Sequence, residues 1–459
     1  MWVKLLLLLF VFSFLFRTDL AFDQDLGRHL KLGEIIINTG NIPKTNLFSY
    51  TNPDFPFINT HWLFEVVVFW FSQTVGLEIL LILKVVIFVF SLLLILKIIP
   101  KENQTLLLPI GFIFFHVLRE RLELRPEIFS FLFTALTYFI LEKKQKLIWL
   151  LPILQLAWIN THIYFFIGLL LQAIFLVHTR TKKLGIFFIL SVLVSLINPH
   201  GINGLLYPLE VSKNYGYTIV ENQTIFLLEN IGFKNPNFLF VKLTLGVMVL
   251  SLLRRKFVIK NILLTLSGAV LALMNVRSFP YLVFLSLPAT LQNFGPIKAN
   301  ALTKIITTIF AGILIFESLF YLSGEYYRTK DPRYQVGLSF KENVKAAMDF
   351  VLTNNLAGPI FNNFDIGSYI IYRGYPKYPV YVDGRPEGYP KEFFQNTYIP
   401  MQSDFAKFKI EAEKWGFKTI VFSLTDQTPW GQAFLQNIVK DSGWKLVFID
   451  DFMIVLSRL

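Results

Sequence analysis

The chain has 459 residues, 54% of them hydrophobic and only 16% charged, with a formal net charge of +12 and no cysteine. Soluble domains carry about 25% charged residues, and the apolar surplus here lies in blocks of about 20 residues that match a bilayer core, so the composition argues against an ordinary soluble globule. Disulfides, thiolate metal sites and cysteine nucleophiles are excluded, and the positive charge, which sits in short turns between apolar blocks, points to membrane topology and anionic lipid rather than to nucleic acid.

Lys4 precedes an apolar run to Phe16, which meets Arg17, Thr18 and Asp19 without a small-x-small cleavage site. A retained helix over 4–21 with a cytoplasmic N-terminus is expected. Loop 22–77 follows outside the membrane, broken by Pro43, Pro53 and Pro56. Within it, 61–71 is apolar but short and holds Glu65, and reads as an interfacial helix. Further helices are expected over 78–98, 104–118, 126–141, 147–160, 162–178, 184–197, 237–253, 259–275, 279–293 and 303–322, with a second long loop at 198–236. The whole reads as a polytopic α-helical membrane domain of about eleven transmembrane helices over 1–322.

This threading puts the lysine-rich turns, and Arg254-Arg255-Lys256, on the cytoplasmic side. It gathers Asp23, Asp25, His61, Glu120, Arg125, Asn160, His162, His200 and Arg277 on the other. Were 61–71 to span, the sidedness after it would invert. From about 324, Gly, Pro, Asp and Asn become frequent. Helical patterns over 341–353, 403–415 and 431–439 alternate with strand-like 358–362, 379–383, 419–422, 444–449 and 452–456, which predicts a soluble extracytoplasmic α/β domain over 323–459. Asp450-Asp451 marks a hairpin turn.

Asp23 and Asp25 stand two residues apart where the first helix ends. One can act as general base for an acceptor hydroxyl, or both can hold a divalent cation such as Mg or Mn through oxygen ligands. The plainer reading is a solvated loop that caps a helix at 27–37. A second carboxylate source is 119–127, with Glu120, Glu123 and Glu127 among Arg119, Arg121 and Arg125. Guanidinium forks suit phosphate, so Arg121, Arg125 and Arg277 can hold a lipid phosphate or diphosphate, or else anchor to headgroups. Asn160-Thr161-His162 interrupts an apolar stretch. His61, His162 and His200 are scattered, which favours hydrogen bonding over a three-histidine metal site.

The ordered set Asp23-Gln24-Asp25, Gly40-Asn41-Ile42-Pro43, His61-Trp62-Leu63-Phe64-Glu65, Arg125-Pro126-Glu127, Trp158-Ile159-Asn160-Thr161-His162, Asn198-Pro199-His200-Gly201, Arg277 and Tyr381-Val382-Asp383-Gly384-Arg385 resembles polytopic glycosyltransferases of the GT-C superfamily. That superfamily includes protein O-mannosyltransferase and lipid A glycosyltransferase branches and a bacterial branch related to them. The resemblance implies transfer of a sugar from a polyprenyl-phosphate carrier to a glycan, lipid or protein acceptor outside the membrane, with inversion at the anomeric carbon. It makes Asp23 or Asp25 the base or metal contact, and Arg125 and Arg277 the carrier-phosphate contacts. His61, Glu120, Arg121, Asn160 and His162 join them as candidate substrate contacts, with Asp383 and Arg385 meeting a sugar or the carrier from the soluble domain. Where relatives place a glycine after the histidine of the Trp-x-Asn-x-His segment, this chain has Ile163-Tyr164, which narrows that space. The competing reading is a non-catalytic membrane protein that binds lipid or glycan in envelope assembly. A transporter is disfavoured, because most of the polar residues collect at one surface.

Overall fold

The computed structural model describes residues 2–253 and 258–459; the Arg254-Arg255-Lys256 turn lies outside the described residues. The chain divides into two compact units. The first comprises Met1–Thr18, Glu78–Gly201 and Ile219–Ser339, and the second Asp19–Leu77, Ile202–Thr218 and Phe340–Leu459. The division expected at 322/323 thus falls at 339/340, and loop 22–77 groups with the C-terminal segment.

The first unit is helical. A helix stands at each of the eleven expected positions among the described residues, from Trp2–Leu15 through Ile79–Ile98 to Ala301–Leu322. Two of them, Ile79–Ile98 and Ala301–Leu322, are each long and apolar enough by themselves to cross a bilayer; several others are shorter apolar helices. These helices are apolar outside as well as inside. Phe88, Leu92 and Ile95 are fully buried, whereas Phe316, Leu319, Ile189 and Leu250 are each more than half exposed. The first helix ends at Leu15 rather than at 21. The Thr18 amide donates to the Gln335 carbonyl (2.8 Å), and the Gly337 amide to that of Phe16 (3.3 Å), so the backbone after Leu15 is extended and paired.

The second unit is built on a four-stranded sheet of β1 (Ile360–Asn362), β2 (Thr419–Ser423), β3 (Trp444–Ile449) and β4 (Met453–Arg458), in the order β1-β2-β4-β3. β1 and β2 are parallel, with Phe361 opposite Ile420, and the two pairings with β4 are antiparallel. The chain between β1 and β2 carries the Gly367–Gly374 and Phe405–Trp415 helices, as a parallel crossover requires. The Asp450 carboxylate accepts the Phe452 and Met453 amides and closes the predicted hairpin.

The strand expected over 379–383 does not form. Its backbone groups are taken by side chains and by loop 22–77. Asn362 Nδ2 donates to the Val382 carbonyl (2.7 Å) and the Tyr381 amide donates to Asn362 Oδ1 (3.0 Å). The Val380 amide and carbonyl pair with Phe48 and Tyr50. In the same unit a helix stands at 61–71, as Trp62–Thr74, packed on Gly27–Thr39.

Candidate functional site

Asp23 and Asp25 lie on one π-helical turn, Phe22–Leu26, that runs directly into the Gly27–Thr39 helix. The extra residue in such a turn aims side chains that a regular helix would not, and such turns recur at functional sites. The two carboxylates have different surroundings. Asp23 is buried and its Oδ2 accepts the Asn343 amide at 2.6 Å. Burial, with the nearby Glu342 charge, raises its carboxyl to about 7 against the opposing backbone hydrogen bonds of Asn343 and Val344. Asp25 keeps solvent contact and stands 3.8 Å from the Arg28 guanidinium. Asp25 is therefore the carboxylate of the pair able to reach a ligand.

A second carboxylate, Glu65, lies fully buried beside this turn's helix. It accepts from Asn59 Nδ2 at 2.6 Å and contacts His29 Nδ1 at 3.0 Å. Burial lifts it to about 7, opposed by the Asn59 hydrogen bond and by the Arg28 and Arg385 charges. His61, expected at the substrate, is the partly buried residue that opens the Trp62–Thr74 helix, its ring 5.7 Å from that of His29. In the C-terminal segment Asp365 is an exposed carboxylate, and the charges of Asp426 and Asp25 push its carboxyl up.

Asp383 and Arg385, assigned to a sugar or carrier on the resemblance, are sealed from solvent and pair with each other. Arg385 Nε and Nη2 donate to the two Asp383 oxygens at 2.7 and 2.6 Å, and Nη2 also donates to Asn46 Oδ1. Tyr389 Oη lies 3.2 Å from Asp383. Every strong bond the fork makes is to a buried protein group, so the pair ties loop 22–77 to the C-terminal segment within the second unit, and neither side chain is placed to meet a ligand.

In the first unit Arg121, Arg125 and Arg277 converge on one carboxylate, Glu221. The distances are 2.5, 2.8 and 3.4 Å. Against burial, which pushes it up, these three cations hold Glu221 well below the usual carboxylate range. Arg121 is buried and also forks onto Glu127 at 2.7 and 2.8 Å, so it is a structural strut, whereas Arg125 and Arg277 keep partial exposure. Glu120 accepts from Asn235 and Asn237 at 2.8 Å, and burial raises its carboxyl despite them. His162 shares Ser130 Oγ with Trp158 Nε1, both at 2.7 Å, and stacks on Tyr164. Asn160 donates to the Leu156 and Ile197 carbonyls. Both side chains are buried and hold helix ends together.

Sequence reasoning missed Glu221, Glu65 and His29. Glu65 left one signal, a single carboxylate inside an apolar helical run. Glu221 and His29 left none, because their partners are distant in the chain.

No family model and no curated protein matches the chain. A solved structure does. The chain is similar in fold to "Archaeal oligosaccharyltransferase AglB from Archaeoglobus fulgidus in complex with an inhibitory peptide and a dolichol-phosphate", with a TM-score of 0.63 at 10% identity, over 94% of this chain and 70% of that one. The likeness agrees at the level of fold with the expected helical domain followed by a small α/β segment.

A divalent cation at Asp23 and Asp25 was one expectation from their spacing. Among the described residues no three His, Asp or Glu side chains converge as a ligand set. Asp23 holds the Asn343 amide through Oδ2, while its buried Oδ1 has no hydrogen-bond partner.

Proposed function

We propose that the chain is a multi-pass membrane glycosyltransferase that moves a sugar from a polyprenyl-phosphate donor to a cell-envelope lipid, glycan or protein acceptor on the extracytoplasmic side. The observation that carries the reading is Asp25, a solvent-reaching carboxylate on a π-helical turn at the start of the first loop, in a chain whose fold follows that of AglB over nearly its whole length. Asp25 takes the proton of the acceptor hydroxyl as that oxygen bonds to the anomeric carbon. The bond from that carbon to the carrier phosphate breaks with inversion, and the phosphate leaves as an anion. Arg125 and Arg277 are the carrier-phosphate contacts in this reading, each partly exposed and each able to trade Glu221 for phosphate oxygens. The apolar outer skin of the helical unit supports a membrane setting, with about eleven crossings, a cytoplasmic N-terminus and an extracytoplasmic C-terminal segment.

The test compares cells carrying wild type and Asp25→Asn at equal membrane levels, by mass spectrometry of surface glycans and polyprenyl-linked sugars. Loss of a general base costs about 10²–10⁴-fold in rate. One sugar is therefore expected to vanish from the surface while its lipid carrier accumulates. An unchanged profile in Asp25→Asn, with a changed envelope on deletion of the protein, would replace the enzyme by a lipid- or glycan-binding assembly protein.

A further inference from the structure

The second unit contains a cavity of about 400 Å³ that the proposed chemistry does not use. Two half-buried aromatic side chains, Phe393 and Trp415, line it with Asn52, Asn396 and Glu411, and the fully buried Tyr381 backs them. Trp415 is the last residue of the Phe405–Trp415 helix, which stops at Gly416 in the left-handed region (φ 64°). Its indole is held from two directions. Nε1 donates to Glu411 Oε2 at 3.0 Å, and the Tyr50 ring packs edge-on at 5.8 Å. Tyr50 is in turn fixed by its hydroxyl, which donates to the Ile360 carbonyl of β1 at 2.9 Å. Phe393 packs on the buried Tyr381 ring, with centroids 5.5 Å apart. The result is a rigid aromatic surface surrounded by amide and carboxylate groups.

We infer that this cavity is a binding site for a neutral saccharide unit. Pockets of this volume suit small ligands. The C–H face of a pyranose packs on an aromatic ring, while the vicinal hydroxyls need groups that both donate and accept, which Asn52 and Asn396 provide; Glu411 orients Trp415 and pairs with Lys414 beside them. Charge argues against a phosphate, since Glu392 and Glu411 outnumber Lys414 on the lining. The site stands apart from the transfer chemistry at Asp25, and the inference does not depend on that chemistry.

The experiment is saturation-transfer NMR on the full chain in phospholipid nanodiscs, which avoids sugar-headed detergents. The ligands are methyl glycosides of glucose, mannose, galactose and N-acetylglucosamine, with their disaccharides, at millimolar concentration. At least one saccharide is expected to receive saturation on its ring protons in wild type and equally in Asp25→Asn. Trp415→Ala is expected to weaken binding roughly tenfold. Asn396→Ala, at an exposed position where substitutions usually change stability by less than about 0.5 kcal/mol, is expected to weaken it severalfold. No transfer to any saccharide, transfer unchanged in both cavity variants, or displacement of the signal by an unglycosylated peptide alone would overturn the inference. Saccharide binding that survives while Asp25→Asn leaves surface glycans unchanged would sink the transferase and keep the site.

Discussion

Asp23 and Asp25 share one turn and differ in what surrounds them, and that difference is measurable. Asp23 has a folded pKa of about 7, above the unfolded value of about 3.9. The folded state therefore holds this proton over a window where the unfolded state has lost it. Stability from this group is fullest below about pH 4 and falls as pH rises through about 7. Asp23→Asn removes the fall, and an asparagine oxygen can still accept the Asn343 amide. We expect the thermal midpoint of purified Asp23→Asn to match wild type near pH 4 and to exceed it near pH 8, by on the order of 2–4 kcal/mol of stability. A variant less stable than wild type at pH 8 would mean that Asp23 is held ionised by contacts not assigned to it here. The contrast with Asp25→Asn, expected to keep its stability and lose transfer, separates a carboxylate buried in structure from one available to chemistry.

At the scale of elements, the Gly27–Thr39 and Trp62–Thr74 helices meet at Gly33. A Cβ there would stand 2.1 Å from the Glu65 carbonyl oxygen and 2.7 Å from Phe69 Cβ. Neither is a flexible tip, so the helices must part to admit a methyl group. Gly33→Ala is expected to cost about 1–3 kcal/mol or more, read as a lowered thermal midpoint. Gly246→Ala, in the open on the Asn237–Leu252 helix, is expected to be neutral or slightly stabilising. The two helices themselves were legible, one as a capped segment after Asp25 and the other as a short apolar run. Their contact was not, since Gly33 and Glu65 are far apart in the chain and neither residue type signals a close approach. The same limit explains 379–383. Its run Val380-Tyr381-Val382 fits a strand, but Asn362, seventeen residues upstream of Pro379, supplies hydrogen bonds that a neighbouring strand would have made. Asp25 was visible because two carboxylates at the end of an apolar helix are rare in either setting. The Glu221 node was not, because its three arginines reach it from two segments, 119–127 and the turn at Arg277, both far from it in the chain.

For the whole molecule, the decisive quantity is sidedness, and it turns on whether the Trp62–Thr74 helix crosses the membrane. Its buried residues, Phe64, Glu65 and Val68, include a carboxylate satisfied by Asn59 and His29. A carboxylate paired to loop residues favours the interface, and we expect no crossing there, with the lysine turns that follow on the side of Lys4. The chain has no cysteine, so single cysteines report topology without a background. Cysteines at Lys144 and Lys182, both exposed turn positions, are expected to react with an impermeant maleimide only after the membrane is opened. A cysteine at Lys440, exposed in the C-terminal segment, is expected to react in intact cells. If Lys144 and Lys182 instead react in intact cells and Lys440 does not, the molecule is inverted. Asp25 would then face the cytoplasm, away from any donor presented outside, and the transferase reading would fall with the topology.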